Sequence, residues 1–342
     1  MIEVKSYFLR IATLISGKES PLSGVSQNMK KTLALLLAGL TAASAVLLTS
    51  CSTPADETEV GASLEKNATE IILNGDTVEC DSTSVYVGEN GQISINSAGT
   101  YVISGTLNDG FIYVDCVDAG IIDLVLKGAT ITNDDGACIH IKKAQEAVIT
   151  LYEGTTNTLT DGASYKFENP EDTEPDGAIY SKEDLIINGT GTLNVTGNYS
   201  NGIVSKDGLK ITSGTLNITS ARHGIKGKDY LVISGGTITV DAQRDGIKST
   251  NYDSQLVGYV EISGGTVNIA SADEAVQAVS AINFNGGEVN ITSTNNGVKC
   301  DGSIAFNGGT VNIDVEDNAL NAFAISKSEN CTVTIGGVPY NG

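Results

Sequence analysis

The chain has 342 residues, of which 20 are Lys or Arg and 41 are Asp or Glu, so its formal net charge is −21. This excess of acid argues against nucleic acid as a partner, because the phosphates would be repelled, and it favours multivalent cations instead. The 39 glycines and the lack of tryptophan fit one elongated domain or one to two compact domains.

A secretory signal lies inside the chain rather than at its first residue. Residues 29–31 read Met-Lys-Lys, an apolar stretch covers 32–48, and small residues precede Cys51. This order is typical of a lipoprotein signal peptide over 29–50 with Cys51 as the diacylated residue. A transmembrane anchor is the weaker alternative, because about 17 apolar residues are marginal for spanning a bilayer. We expect residues 1–28 to be an upstream start that was assigned by mistake.

The mature chain that this signal implies is still more acidic. Removing residues 1–50 takes away five Lys/Arg and two Asp/Glu, which leaves 15 basic and 39 acidic residues and a net charge of −24. Residues 51–70 are polar without apolar periodicity, which predicts a flexible tether. We therefore expect a monomeric protein that is lipid-anchored to the outer face of the bacterial cytoplasmic membrane, with its folded domain over 71–342.

The cysteines other than Cys51 offer no metal pattern. They are Cys80, Cys116, Cys138, Cys300 and Cys331. Their number is odd, so at least one is unpaired, and neither a CxxC pair nor zinc-type spacing is present. We interpret them as small buried residues of a β core, and their pairing stays open.

A four-residue phrase recurs at intervals of 25, 22, 22, 29, 22 and 22 residues. It begins at Asp176, Asn201, His223, Asp245, Glu274, Asn296 and Asn318. A second phrase, of which Gly-Thr-Leu-Asn-Ile at 214–218 is one copy, and a third apolar strand recur in step with it. Such short alternating strands cannot bury a face alone, so they predict stacked coils. The predicted fold is all-β, a right-handed parallel β-helix (solenoid) with about 22 residues and three short strands per coil.

Other repeat folds fit this pattern less well. A leucine-rich repeat would need its Leu/Asn consensus, and a propeller would need about 40 residues per blade.

Two interruptions of the repeat, 161–175 and 251–258, are expected to be loops that project from coil corners.

Equal positions of successive coils stack about 4.8 Å apart in such a fold, so a sequence column becomes a row on the surface. One outward row consists of Asn194, Asn217, Thr239, Asn268, Asn290 and Asn312. We interpret this row as a solvated face whose amides hydrogen-bond along the stack. A platform for sugar hydroxyls is the alternative.

A second row, just before the glycine of the first phrase, consists mostly of carboxylates and amides. Its best candidate for a calcium site is Asp245 on one coil with Asp273 and Glu274 on the next. Gln277 would add a neutral oxygen ligand. Stacked carboxylates repel each other by up to about 3 kcal/mol at an effective dielectric of 20, and a cation reverses the sign. A solvated acidic corner is the alternative. Weaker metal candidates are Asp134, Asp135 and Asp317.

Basic residues accompany the acidic row. They are Lys226, Lys248, Lys299, Arg222 and Arg244. These side chains either balance the charge of the acidic row or, beside bound calcium, form a site for carboxylated sugars.

Several of these phrases carry a family resemblance. Asp-Gly-Ile-Lys at 245–248, Ile-Ser-Gly-Gly-Thr at 233–237 and 262–266, and the opening 99–107 resemble the bacterial β-helical carbohydrate-binding lipoprotein family. The resemblance covers roughly residue 71 to the C-terminus. It implies a right-handed β-helix, bound calcium and polysaccharide binding without demonstrated catalysis.

The fold is also similar to that of calcium-dependent polysaccharide lyases such as pectate lyases. That similarity implies that Asp273 and Glu274 bind calcium and that Lys299 abstracts the proton next to a uronate carboxyl. Gln277, however, replaces the Asp expected in those enzymes, and no additional Arg flanks Lys299.

The sequence therefore predicts a cell-surface lipoprotein that binds an acidic or plant cell-wall polysaccharide through a calcium-loaded β-helix without cleaving it. Two alternatives stay open. One is a calcium-dependent lyase with Lys299 as the base, and the other is a structural adhesin or cell-wall spacer.

Overall fold

The computed structural model describes residues 67–88, 90–118 and 120–342. This part of the chain contains thirty β-strands and no helix, so no helix in it could span a membrane. The segments interpreted as an upstream start and a signal peptide, together with Cys51 and most of the tether, lie outside the described residues.

The strands follow one another with short connections along the whole described chain. The first half comprises β1 (Thr69–Gly75), β2 (Thr77–Glu79), β3 (Val85–Val87), β4 (Gln92–Ile95), β5 (Gly99–Leu107), β6 (Phe111–Asp115), β7 (Ile121–Asn133), β8 (Ile139–Lys143), β9 (Glu146–Leu151), β10 (Thr156–Asp161), β11 (Gly177–Ser181), β12 (Leu185–Gly189), β13 (Thr192–Gly197), β14 (Asn201–Ser205) and β15 (Gly208–Ile211). The second half comprises β16 (Thr215–Ser220), β17 (Ile225–Gly227), β18 (Tyr230–Ile233), β19 (Thr237–Ala242), β20 (Ile247–Ser249), β21 (Tyr259–Ile262), β22 (Thr266–Ser271), β23 (Val276–Ala278), β24 (Ala281–Phe284), β25 (Glu288–Ser293), β26 (Val298–Phe306), β27 (Gly309–Val315), β28 (Leu320–Lys327), β29 (Cys331–Ile335) and β30 (Val338–Pro339).

Each coil contributes one strand to each of three parallel faces. Face 1 includes β8, β11, β14, β17, β20 and β23, face 2 includes β9, β12, β15, β18, β21 and β24, and face 3 includes β10, β13, β16, β19, β22 and β25. A strand pairs with its equivalent on the next coil, as Ile225 of β17 does with Ile247 of β20. Antiparallel pairs occur between β1 and β2, β3 and β4, and β29 and β30. The predicted parallel β-helix with three strands per coil is confirmed.

The core consists of stacked aliphatic rows that alternate with outward residues along every strand. On face 1 the inward row is fully buried and comprises Ile203, Ile225, Ile247, Val276 and Val298. Burying each such side chain contributes roughly 1.5–3 kcal/mol, so the stack drives coil formation although single coils have no core of their own. The five cysteines described are free, and all except Cys80 are buried, as interpreted from the sequence.

The recurring Gly-Gly-Thr phrase has a steric cause at one corner. Gly236 and Gly265 have φ values of 89° and 81°, in a region that side chains rarely adopt. A Cβ on Gly265 would also lie 2.5 Å from the carbonyl oxygen of Gly236 on the preceding coil. Only glycine lets consecutive coils stack this closely at that corner.

Both expected loops are present. The first connects β10 to β11 over residues 162–176, and the second connects β20 to β21 over residues 250–258. The first loop leads into face 1 and the second leads out of it. Face 1 is therefore the face that both insertions border.

Candidate functional site

One outward row runs along the whole of face 1. The strand registers place its members opposite one another in the order Tyr113, His140, Tyr180, Val204, Lys226, Lys248, Gln277, Lys299 and Asn321. We call this the face 1 row. Its first part is aromatic and its second part is basic. Gln277 stands directly between Lys248 and Lys299.

Three carboxylates meet beside the basic part of this row. Asp245 lies on one coil, and Asp273 and Glu274 lie on the next, with one oxygen of each within 4.8 Å of the others. Asp245 and Glu274 are buried, with exposed fractions of 2% and 5%. The three-residue cluster predicted from the sequence is thus brought together, and we call it the carboxylate cluster.

Each carboxylate of the cluster contacts a basic side chain. Lys299 Nζ donates to Glu274 Oε1 at 2.6 Å, and Arg244 Nη1 lies 3.6 Å from Asp273 Oδ2. Lys248 Nζ donates to Asp245 Oδ2, and His223 Nδ1 lies 3.2 Å from that same oxygen. Formal charges therefore balance, which agrees with the charge-balance interpretation of the basic residues.

Amide side chains complete the surroundings of the cluster. Asn296 Nδ2 donates to Glu274 Oε1 at 3.2 Å, and Asn295 Nδ2 donates to Asp273 Oδ1 at 2.8 Å. These amides belong to the coil after Glu274, so the site is built from three consecutive coils. Neither asparagine is among the residues that the sequence predicts for the site, although Asn296 belongs to the acidic row.

The surroundings shift the pKa values of two carboxylates of the cluster, Glu274 and Asp245, in opposite directions. Burial raises the pKa of Glu274, and the neighbouring Asp273 and Asp245 add to that shift against the Lys299 hydrogen bond. Burial also opposes ionisation of Asp245, but the hydrogen bonds from His223 and Lys248 outweigh it and lower its pKa. Of these two carboxylates, Glu274 is the one for which the surroundings disfavour the charged form.

The oxygen-rich donor set suits a hard cation. Calcium takes carboxylate and amide oxygens at 2.3–2.6 Å, so oxygens on opposite sides of the ion stand about 5 Å apart. The spacing within the carboxylate cluster agrees with this geometry. Asp245, Asp273 and Glu274 would hold such an ion, and it would offset the mutual repulsion of three carboxylates.

The weaker metal candidates do not join a comparable group. Asp135 Oδ2 accepts from Lys166 Nζ at 2.6 Å, and the backbone N–H of Asp134 donates to Asp109 Oδ1. Asp317 is exposed. Among the residues that the structure describes, the carboxylate cluster is the one set of three metal-ligating side chains close enough to share an ion.

Lys226 differs from the other lysines of the row. It is half-buried one coil before Lys248, and no carboxylate in the described chain forms an ion pair with its ammonium group. Burial lowers the pKa of Lys226, and the more distant Asp176 opposes that shift. An ammonium group held in this way lacks a counter-charge that a ligand carboxylate would supply. Arg222 and Arg244, the remaining basic candidates, are exposed.

The aromatic residues of the face 1 row were not aligned with one another from the sequence, although Tyr180 could be recognised there as a residue able to stack on a sugar. Tyr113, His140 and Tyr180 come from coils whose lengths are irregular, with 27 and 40 residues between successive members. The regular 22-residue interval used to align the later coils does not extend to them. The signal that could have found them was the isoleucine directly before each of them, which the later face 1 strands repeat before Lys226 and Lys248.

The asparagine row on face 3 forms the expected ladder. Asn217 donates to Asn194 at 2.9 Å, Asn290 donates to Asn268 at 3.0 Å, and Asn312 donates to Asn290 at 2.8 Å. The hydrogen-bonding that the sequence predicts for this row is therefore confirmed. Its amides are engaged with one another, which favours a scaffold role over sugar binding.

A family comparison agrees with this geometry. A model of the family described as carbohydrate-binding domain-containing protein matches residues 89–338. The chain belongs to this family.

Two relatives extend the comparison. A carbohydrate-binding domain-containing protein of Acetivibrio thermocellus is 40% identical over 148 residues, which are 43% of this chain and 52% of that protein. The match thus spans about half the length of that relative. A solved structure, titled polysaccharide lyase-like protein from C. thermocellum, gadolinium derivative, is 34% identical with a TM-score of 0.66. That alignment covers 78% of this chain and 99% of the other.

Proposed function

We propose that this protein binds an acidic polysaccharide along the basic part of the face 1 row, with calcium held by the carboxylate cluster, and that it does not cleave the polymer. The observation that carries the proposal is the meeting of Asp245, Asp273 and Glu274 within 4.8 Å beside a row of lysines. Membership of a carbohydrate-binding family supports the general class of ligand.

The lysines supply the link between the ion and the glycan. In the structure, Lys248 forms an ion pair with Asp245, and Lys299 forms one with Glu274. A cation at these carboxylates would repel both ammonium groups and leave them to contact a uronate carboxylate, which the cation can also bridge. Lys226 would extend the same interaction by one coil. Calcium and an acidic glycan should therefore strengthen each other's binding, as linkage between the two sites requires.

The contacts of Lys299 favour binding over elimination chemistry. A general base needs its proton-accepting atom free near neutral pH, whereas Lys299 Nζ is hydrogen-bonded to Glu274 Oε1. Gln277, in place of the Asp of the lyase pattern, also removes one negative charge from the neighbourhood of the ion. The name polysaccharide lyase-like, which the similar solved protein carries, makes lyase activity the alternative to be tested.

Surface display is part of the proposal and rests on the sequence. The Met-Lys-Lys start at 29–31, the apolar stretch and the small residues before Cys51 support diacylation of that cysteine. Labelling cells with a radioactive fatty acid should mark the wild type and leave Cys51→Ser unmarked. Release of the wild-type protein into the medium without label would contradict the anchor.

The function is tested by retention on immobilised polygalacturonate with and without a chelator. We expect retention in calcium that is lost in chelator, with no unsaturated product absorbing in the ultraviolet. Appearance of such product, and its loss in Lys299→Ala, would establish the lyase instead. Lack of retention on polygalacturonate and on a panel of other acidic glycans would reject the proposal and leave the adhesin or spacer alternative.

A further inference from the structure

A pocket of about 490 Å³ lies between the first strands of face 1 and the loop 162–176. It occupies the aromatic end of the face 1 row, several coils before the carboxylate cluster. Tyr113, His140 and Phe111 line it from the strands, while Phe167, Glu174 and Lys182 line it from the loop and from the strand end that follows. We call it the loop pocket. Neither the repeat pattern nor the family match assigns it a role.

The loop that encloses the pocket is fixed to the solenoid at both ends. Near its start, Lys166 N–H donates to the carbonyl oxygen of Asp135 at 2.8 Å, and the ring of Tyr165 stacks on that of Tyr199 with centroids 4.2 Å apart. Near its end, Glu174 accepts from Tyr180 and from Lys206. The pocket is therefore largely formed before any ligand arrives, which lowers the entropic cost of binding.

Aromatic rings form one wall of the pocket. Phe111 and Tyr113 meet edge to face with centroids 6.5 Å apart, and Tyr113 and His140 do so at 5.2 Å. Tyr113 and Phe167 are half-buried, so part of each ring remains open to the pocket. Aromatic rings that are apolar on their faces and polar at one edge suit ligands that combine C–H and hydroxyl surfaces, as a pyranose ring does.

The charged groups around the pocket do not favour a polyanion. Its lining contains three lysines and four carboxylates, so it lacks the positive excess that the basic part of the face 1 row has. Lys142 Nζ is held by Asp115 Oδ2 at 2.7 Å, and Lys166 Nζ by Asp135 Oδ2 at 2.6 Å. Hydroxyl groups both donate and accept hydrogen bonds, so a mixture of ammonium, carboxylate and amide groups satisfies them well.

His140 adds a polar atom without a partner. Its Nε2 is buried and accepts or donates no hydrogen bond in the described structure. Burial lowers the pKa of His140 to about 4, and Lys182 and Lys142 add to that shift, so its ring is neutral at physiological pH. A buried polar atom without a partner, on a residue that lines the pocket, is an uncommon feature that requires a specific explanation.

We propose that the loop pocket is a second saccharide site, one that receives a neutral pyranose unit independently of calcium. The site extends the proposed function to a second class of sugar and rests on it only in assuming that the protein binds glycans. The loop pocket and the carboxylate cluster lie along the same row, so a branched or mixed polysaccharide could contact both.

The test is calorimetric titration of the purified full chain, in chelator, with neutral oligosaccharides based on glucose, xylose, mannose and galactose. We expect at least one of them to bind. Tyr113→Ala and Phe167→Ala should each weaken that binding about tenfold or more, because each removes a ring that contacts the sugar. Tyr86→Ala, which removes an exposed tyrosine on β3 outside the pocket, is the matched control and should leave the affinity unchanged.

Two further variants keep the result interpretable. Tyr113→Phe retains the ring and should bind nearly as well as wild type, and Glu153→Gln, at an exposed carboxylate outside both the pocket and the carboxylate cluster, should leave neutral-sugar binding intact. The inference fails if no neutral oligosaccharide binds, if binding requires calcium, or if both alanine variants bind like wild type. Chelator-sensitive retention on polygalacturonate is measured separately, so failure of the loop pocket and failure of the calcium-dependent site are distinguishable.

Discussion

Lys299 Nζ lies 2.6 Å from Glu274 Oε1, and the two residues occupy adjacent coils 25 positions apart in sequence. The ion pair is partly sheltered, because the Glu274 side chain is 7% exposed and that of Lys299 is 35% exposed. In the proposed calcium-bound state, the ion would compete with Lys299 for the same oxygen atom of Glu274. Binding of an ion should therefore be detectable as a change in the contact between Lys299 and Glu274.

Glu274→Gln is expected to weaken calcium binding at least about tenfold. The substitution keeps the shape of the side chain and removes the carboxylate that lies among Asp245, Asp273 and Asn296. Binding is measured by tyrosine-sensitised terbium luminescence with calcium as competitor, since lanthanides take oxygen ligands as calcium does. The thermal unfolding midpoint should rise with calcium in the wild type and much less in the variant.

Glu316→Gln is the matched control for this experiment. Glu316 is exposed and lies between β27 and β28, two coils after Asp273 and outside the carboxylate cluster, and the substitution makes the same change of charge. Its terbium signal and calcium response should equal those of the wild type. Equal calcium affinity in Glu274→Gln and wild type would show that this carboxylate is not a ligand.

Lys226→Ala should reduce the affinity for oligogalacturonate about tenfold. The difference in affinity between wild type and variant should be smaller at high salt, because salt screens the interaction between the charges. Lys226 is half-buried and its ammonium group has no ion-pair partner within the described chain. A ligand carboxylate would restore that missing partner. Lys210→Ala is the control, because Lys210 lies on face 2 and its loss changes the net charge equally. If both variants lose affinity equally, the effect is one of overall charge and Lys226 has no specific role.

The sequence was sufficient for the later coils and for the carboxylate cluster, because the recurring four-residue phrase aligns Asp245 with Glu274 across the 29-residue interval that contains the interruption 251–258. It was not sufficient for the partners of the cluster. Lys299 forms its ion pair with Glu274 and not with the carboxylate nearest to it in sequence. That pairing depends on side-chain conformations across two coils. The loop pocket also escaped prediction, because its walls come from irregular coils and from a loop that has no repeat.

Asn290→Ala tests whether the asparagine ladder is scaffold or binding surface. The change removes the hydrogen bond that Asn290 donates to Asn268 and the one that it accepts from Asn312. We expect a loss of about 1 kcal/mol in the free energy of unfolding, measured in urea, with unchanged glycan retention. Asn283→Ala on face 2 removes an outward asparagine that bonds no side chain in the described chain, and should cost less. Glycan retention that falls in Asn290→Ala without a loss of stability would favour the sugar-platform interpretation.

Asp161 should make stability depend on pH through a group that lies away from the carboxylate cluster. It is 2% exposed, and burial raises its pKa to about 6 despite hydrogen bonds from Tyr165 and from backbone N–H groups. Since the folded protein holds this proton more tightly than the unfolded chain, its contribution to the free energy of unfolding falls as the pH rises from about 4 to about 6. The total change is about 3 kcal/mol.

Asp161→Asn should remove this part of the pH profile. We expect the free energies of unfolding of wild type and variant to diverge between pH 4 and pH 6, with the wild type losing relative to the variant as pH rises. Asp172→Asn, an exposed carboxylate on the loop 162–176, should run parallel to wild type over the same range. A constant difference between wild type and Asp161→Asn across that interval would mean that Asp161 has the same pKa in the folded and unfolded states, and the burial argument for this residue would be wrong.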